Sequence, residues 1–312
     1  MNELTAKIEQ DLKVILNNQF PENGTKDSIY KEVYEYALLP AGKLFRSQLI
    51  WCVFGDLLNH QMKTTQTIIS PCHQLLSAAI ECHHAYTLVH DDMPCMDNDE
   101  FRRGKLATHK KYGEWKALLI GDGLLNMSYQ ILSEIKHQNA LNLINLFSRS
   151  CGHQGLIYGQ FLDLNIKSSP STFENIKNIH KLKTGKLFEC AMMGSYLLTD
   201  INDQKREEQL KVVSKSIGEL FQFLDDLTEL HDINISGHEG EINPWVSFYD
   251  ETFNETINLL SETTQNLENF PQTSEAIKKY YQKIRLYLLA NKPEVLRFIE
   301  KKDLEPLILA LE

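Results

Sequence analysis

Leu210-Lys211-Val212-Val213-Ser214-Lys215-Ser216-Ile217-Gly218-Glu219-Leu220-Phe221-Gln222-Phe223-Leu224-Asp225-Asp226-Leu227-Thr228-Glu229-Leu230 has the period of an α-helix. Ile217, Leu220, Phe221, Phe223, Leu224, Leu227 and Leu230 cover most of its surface with apolar side chains, which predicts burial among other helices. Gln222, Asp225, Asp226 and Glu229 fall at i, i+3, i+4 and i+7 and form one polar stripe along it. Carboxylates on a buried helix need cations or metal ions as partners. The stripe alone leaves open both salt bridges to neighbouring helices and metal ligation.

The same periodicity recurs in residues 3–18, 74–90, 115–136, 180–198 and 255–267, and strand-like alternation is nearly absent. With 15 Gly and 9 Pro in 312 residues, both below average usage, the chain lacks the punctuation of a turn-rich β architecture. No low-complexity linker or short repeat divides it. The expectation is an all-α protein, one helical bundle over residues 1–312, with loops or helix ends at 92–112, which contains Pro94, and 231–244, which contains Gly237 and Gly240.

A second acidic cluster ends the helix at 74–90, where His90-Asp91-Asp92-Met93-Pro94-Cys95-Met96-Asp97-Asn98-Asp99-Glu100 crowds carboxylates together. Their repulsion is costly unless they are solvated or metal-bound. Hard oxygen ligands around an incompletely wrapped site suit Mg²⁺, which keeps waters and accepts phosphate oxygens. Two acidic clusters on separate helix walls can hold metal between them, and metal bridging a diphosphate neutralises a departing leaving group. Arg102-Arg103-Gly104-Lys105 comes directly after, and arginine forks match phosphate oxygens. Lys43, Arg46, His84 and Lys183-Thr184-Gly185-Lys186 are further candidates, each more readily structural than functional when taken alone.

A net charge of −10 excludes the basic footprint of a nucleic-acid binder. It also requires that an anionic substrate be met by placed cations or divalent metal. Cys52, Cys72, Cys82, Cys95, Cys151 and Cys190 form no CxxC pair or zinc-spaced cluster and read as reduced thiols of a cytoplasmic protein. The start Met1-Asn2-Glu3-Leu4 carries no secretion signal, and no charge-free apolar run approaches the roughly 18 residues of a membrane span.

In order along the chain stand Gly42-Lys43-x-x-Arg46, Glu81-x-x-His84, Asp91-Asp92-x-x-x-x-Asp97, Arg102-Arg103-Gly104, Gly121-Asp122, Gly159-Gln160, Lys183-Thr184-Gly185 and Phe221-Gln222-x-x-Asp225-Asp226. This set resembles the trans-isoprenyl (polyprenyl) diphosphate synthase family, close to its bacterial farnesyl type. The resemblance implies a helical bundle around a central cavity, normally a homodimer. It implies a Mg²⁺-dependent prenyltransferase joining isopentenyl diphosphate to dimethylallyl or geranyl diphosphate, with farnesyl diphosphate as product. By the same resemblance Asp91, Asp97 and Asp225 are metal ligands, with Asp92, Asp226 and Glu229 in or near the metal shell. Arg102, Lys183 and Gln222 belong to the allylic diphosphate, and Lys43, Arg46, His84 and Arg103 to isopentenyl diphosphate. Lys183, Thr184 and Gln222 are the catalytic set, the last two stabilising a carbocation, and Tyr86 resembles the floor that stops the growing tail.

The sequence departs from the family at three places. Leu44 stands where an arginine is usual, Glu229 where an aspartate is, and residues 231–244 are short and lack the family's lysines, with no Lys or Arg anywhere in 216–277. An extension from about residue 291 has no family counterpart. Two other readings stay open: a class I terpene synthase, echoed by Asp225, Thr228 and Asp232, and a diverged non-catalytic subunit of a prenyl synthase.

Overall fold

Helix starts are set by capping chemistry. Ser70 accepts a hydrogen bond from the amide of His73 with Pro71 in the first turn, Thr172 accepts from Asn175, and Asp203 accepts from Arg206. Each supplies an oxygen to an amide that has no partner within its helix. The computed structural model describes residues 3–20, 28–62, 70–166, 172–230, 243–299 and 303–312. The chain runs α1 (Glu3–Gln19), α2 (Ser28–Leu38), α3 (Phe45–Met62), α4 (Pro71–Asp91), β1 (Phe101–Arg102), β2 (Lys105–Leu106), α5 (Thr108–Tyr112), α6 (Glu114–Ser133), α7 (Ala140–Cys151) and α8 (Leu156–Asn165). It continues through α9 (Phe173–His180), a π turn (Lys181–Gly185), α10 (Lys186–Leu197), α11 (Gln204–Glu229), α12 (Pro244–Ser247), α13 (Tyr249–Asn266), α14 (Pro271–Phe298) and α15 (Glu305–Ala310). The fold is all-α; among the described residues the only sheet is the β1–β2 hairpin, antiparallel with Arg102 opposite Lys105.

Two adjoining apolar clusters form the core. One gathers Leu76, Ile80, Leu124, Ile131 and Phe147 from α4, α6 and α7; the other gathers Leu220, Phe223, Leu227, Trp245 and Leu288 around α11. Leu146 packs against both. Fully burying a side chain of this size stabilises the fold by about 1.5–3 kcal/mol. Glycine permits the closest approaches. A Cβ on Gly121 of α6 would stand 2.0 Å from Nε2 of His90 on α4, and one on Gly218 of α11 would stand 2.5 Å from Cα of Gly185 in the π turn.

Several expected boundaries change. The segment 92–112 is not all loop, since it contains the hairpin and α5. The single helix expected over 180–198 is interrupted by the π turn at Lys181–Gly185, which separates α9 from α10. Residues 231–242, with Gly237, Gly240, Asp232 and the short loop after the acidic stripe, lie outside the described residues. The extension from 291 begins where α14 kinks, with non-helical angles at Asn291 two residues before Pro293. Beyond it Leu304, Leu307, Ile308 and Leu311 are buried in the core cluster around α11, Tyr249 donates to the Asp303 carbonyl at 2.8 Å, and Arg285 pairs with Glu312. Among the described residues no helix is long and apolar enough to cross a membrane.

Candidate active site

A cavity of ≈ 770 Å³ opens between α4, α6, α8, the π turn and α11. Its polar end collects the groups singled out by the sequence, and its interior is apolar, with Tyr86, Leu125, Leu156 and Leu187 on the walls. Most of the expected residues line it: Lys43, Arg46, His84, Tyr86, Asp91, Arg102, Arg103, Lys183, Thr184, Gln222 and Asp225.

On the α4 side, Asp91 is the last helical residue and its carbonyl accepts from the Asp97 amide at 2.9 Å. Burial pushes the Asp91 carboxyl up to about 7; Lys183 pulls it down while Asp97 and Asp163 push it further up. Asp97 is raised by burial against the pull of Lys183. Asp92 is differently employed: it is buried, off the cavity wall, and accepts both Nε (2.8 Å) and Nη2 (2.5 Å) of Arg102. Arg102 also donates to Asp99 at 2.6 Å, so Asp92 and Asp99 fix the guanidinium that lines the cavity.

The π turn and α11 form the opposite wall. The close passage of Gly185 and Gly218 brings Thr184 against Gln222, and the threonine hydroxyl donates to Gln222 Oε1 at 2.9 Å. Gln222 Nε2 in turn donates to Asp226 Oδ1 at 2.7 Å, so the amide has one orientation. Asp225 lines the cavity 3.4 Å from Lys43 Nζ. Asp226 is buried behind it, held well above the carboxylate range by burial despite Gln222, with His180 Nε2 3.3 Å from its other oxygen. Glu229 is exposed at the end of α11 and acts on Asp226 through its charge.

The cations sit on a third side. Arg46 lies 4.4 Å over the ring of Phe188 and 5.7 Å from that of Phe221, where Lys43 also lies at 5.7 Å. Burial brings Arg46 down to about 10, opposed by the charges of Glu81 and Asp225. His84 is driven well below its ordinary range by burial and by Arg46, Arg103 and Arg102, so it is neutral near pH 7. Arg103 adopts a positive φ of 55°, and its guanidinium packs on Gly42, where an added Cβ would meet it at 2.8 Å. Leu44, the residue replacing the usual arginine, also has a positive φ of 51°; it is buried and adds no charge.

Sequence reasoning missed two features, Asp163 and an aromatic pile, and gave a third, Gln160 of the Gly159-Gln160 pair, no role. Asp163 on α8 accepts from Lys183 at 2.6 Å and shares its field with Asp91 and Asp97. Its signal was a lone carboxylate in the apolar run 156–164, four residues after Gly159, where a Cβ would stand 2.4 Å from the Lys183 amide. Gln160 lines the cavity with neither amide atom bonded to any described residue. Phe45, Phe188 and Phe221 with Tyr280 form an aromatic pile beneath Arg46, with Tyr280 stacked at 5.0 Å on Phe45 and 5.2 Å on Phe221; Tyr280 comes from a helix with no motif of its own.

The donors facing the cavity from α4 and α11 are carboxylate oxygens, the chemistry that Mg²⁺ prefers. Among the described residues no three His, Cys, Asp or Glu side chains are grouped closely enough to hold a metal ion by themselves. An ion held here would keep open positions for water or phosphate oxygens, so the residues fit Mg²⁺ bound jointly with a diphosphate.

Residues 27–235 match the profile of the polyprenyl synthetase family. The chain is 34% identical over 203 residues to a farnesyl diphosphate synthase of Micrococcus luteus, covering 64% of this chain and 66% of that one. It is 33% identical over 238 residues to a farnesyl diphosphate synthase of Bacillus subtilis, covering 73% and 76%. The fold superposes on a geranyltransferase from Legionella pneumophila with a TM-score of 0.75 at 25% identity, over 90% of this chain and 95% of that one. With its two acidic walls, its cation cluster and this match over two thirds of its length, the chain belongs to the polyprenyl synthetase family.

Proposed function

We propose that this chain joins isopentenyl diphosphate to dimethylallyl or geranyl diphosphate with Mg²⁺ and releases farnesyl diphosphate. One observation carries the reading: Asp91 and Asp225 face one cavity, with the five basic side chains Lys43, Arg46, Arg102, Arg103 and Lys183 at its polar end and an apolar interior behind. Asp91 and Asp225 on the cavity wall, with Asp97 beyond the end of α4, would hold the metal, while Asp226 and Glu229 stand behind and beside Asp225. Mg²⁺ supplies positive charge against the departing diphosphate. Arg102, fixed by Asp92 and Asp99, and Lys183, fixed by Asp163, bind the allylic diphosphate. Lys43, Arg46 and Arg103 bind isopentenyl diphosphate, with neutral His84 as a hydrogen-bonding partner.

As the carbon–oxygen bond of the allylic substrate breaks, its electron pair stays with diphosphate. The Thr184 hydroxyl oxygen and the Gln222 amide oxygen, locked together, present oxygen dipoles to the allylic cation. The isopentenyl double bond forms the new carbon–carbon bond, and the proton lost in restoring a double bond leaves with the diphosphate. Retention of the isopentenyl-side cations at the cavity favours condensation over cyclisation of a single substrate.

The chain acts as one domain and as a homodimer. An apolar face supports pairing: Trp115 and Leu119 on α6 and Phe161 on α8 are 65%, 55% and 62% exposed. Six unpaired thiols suit the reducing cytoplasm. The test is diphosphate release by the purified chain: it should require both substrates and Mg²⁺, and release with geranyl diphosphate alone would favour a cyclase or hydrolase instead.

A further inference from the structure

We propose that Tyr280 and Tyr287 of α14 are positioning residues that set the slide and roll of α11, and so the placement of its acidic stripe; this rests on the function proposed above. Phe221 and Thr228 stand seven residues apart on α11, two turns or about 10.5 Å, with Gln222, Asp225 and Asp226 between them. Tyr280 and Tyr287 stand seven apart on α14. The Tyr280 hydroxyl donates to the Phe221 carbonyl at 3.4 Å, and the Tyr287 hydroxyl donates to the Thr228 carbonyl at 2.6 Å. Both bonds span the same sequence offset of 59, so the two helices run side by side in one direction, joined by two tyrosine rungs.

A single contact leaves a helix free to pivot about it. Two contacts, one at each end of the stripe, remove both rotation and slide. The Tyr280 ring adds stacking on Phe221, and Asn291 at the kink of α14 donates to the Tyr287 carbonyl at 2.9 Å. The flank of α11 is held likewise: Trp245 Nε1 donates to the Phe223 carbonyl at 2.6 Å and Asn243 Nδ2 to the Asp226 carbonyl at 2.9 Å. Side chains along Asp225, Asp226 and Glu229 repel one another, and an unbraced helix would relieve this by rolling toward solvent. All four donors lie beyond residue 235, where the family match ends.

Tyr287→Phe and Tyr280→Phe each keep the ring and remove one hydroxyl. Mn²⁺ uptake in the presence of inorganic diphosphate, measured by electron paramagnetic resonance, reads the stripe without turnover; melting in EDTA reads the fold. Tyr287→Phe should weaken Mn²⁺ binding on the order of fivefold to tenfold, the worth of one hydrogen bond, and Tyr280→Phe should do less because its bond is longer. KM for isopentenyl diphosphate should stay within about twofold in Tyr287→Phe. Tyr249→Phe, which loses a bond to the Asp303 carbonyl, should bind Mn²⁺ as the unaltered chain does. Unchanged Mn²⁺ binding in Tyr287→Phe with a lowered melting temperature would overturn the inference alone. No Mn²⁺ uptake by the unaltered chain would overturn the proposed function and this inference with it.

Discussion

At Gly42 a hydrogen stands where any larger side chain would press on the Arg103 guanidinium, only 2.8 Å from the place of a Cβ. Gly42→Ala displaces the flexible end of that arginine, so KM for isopentenyl diphosphate should rise about tenfold, as for loss of a charge-assisted hydrogen bond, with the melting temperature nearly unchanged. Tyr86 is a second test at this scale. It is buried on the cavity wall, its ring edge-on to His83 and His90. Tyr86→Ala should shift the product from fifteen carbons to twenty or more; an unchanged distribution by chromatography of dephosphorylated products would move the floor elsewhere. His73 tests the core. Burial lowers it from 6.5 to about 4, so the neutral form is the folded one, and its contribution is intact above pH 6.5 and lost as pH falls toward 4. Buried Asp56 and Glu81, raised by burial, work in the opposite direction, so the readout is a difference between proteins. Urea midpoints should fall less between pH 7.5 and pH 5 in His73→Asn than in the unaltered chain.

Among the elements, α4, α6 and α11 were legible because each has a long apolar face and an acidic or glycine mark beside it. The helix α8 was not, since exposed Ile157, Tyr158 and Phe161 and the central Gly159 blur its period. The same holds for α14, where Leu286 and Leu289 point outward among lysines. The π turn had no visible signal, because its backbone widens to fit the close passage of Gly185 against Gly218, a contact between segments distant in sequence. Motif residues could be placed on one cavity from sequence, but the employment of Asp92 by Arg102, the partnership of Asp163 with Lys183 and the aromatic pile could not, since each depends on how helices meet. The end of α4 yields a sharp prediction. Asp91 is half-buried on the cavity wall, and desolvation with the charges of Asp97 and Asp163 raises its carboxyl to about 7, so its charge opposes folding. Asp91→Asn should abolish condensation while holding or raising the melting temperature, and a joint loss of both would make Asp91 a structural partner of Lys183.

For the whole molecule, charge sets the terms. A chain of net charge −10 with no Lys or Arg in 216–277 offers a diphosphate little cationic help along α11 and α13, so binding must lean on metal. Calorimetry with a bisphosphonate should lose most of its affinity in EDTA; undiminished binding there would contradict the metal reading. The exposed apolar residues of α6 and α8 adjoin the cavity wall at Ile157 and Phe161, and Leu119→Glu should abolish the proposed pairing in sedimentation. The most direct measurement of the central claim is a rapid-quench experiment with labelled isopentenyl diphosphate, geranyl diphosphate and excess protein. Label should enter a fifteen-carbon diphosphate in Mg²⁺ and enter nothing in EDTA. Consumption of geranyl diphosphate without uptake of label, or no reaction by well-folded protein in Mg²⁺, would contradict it.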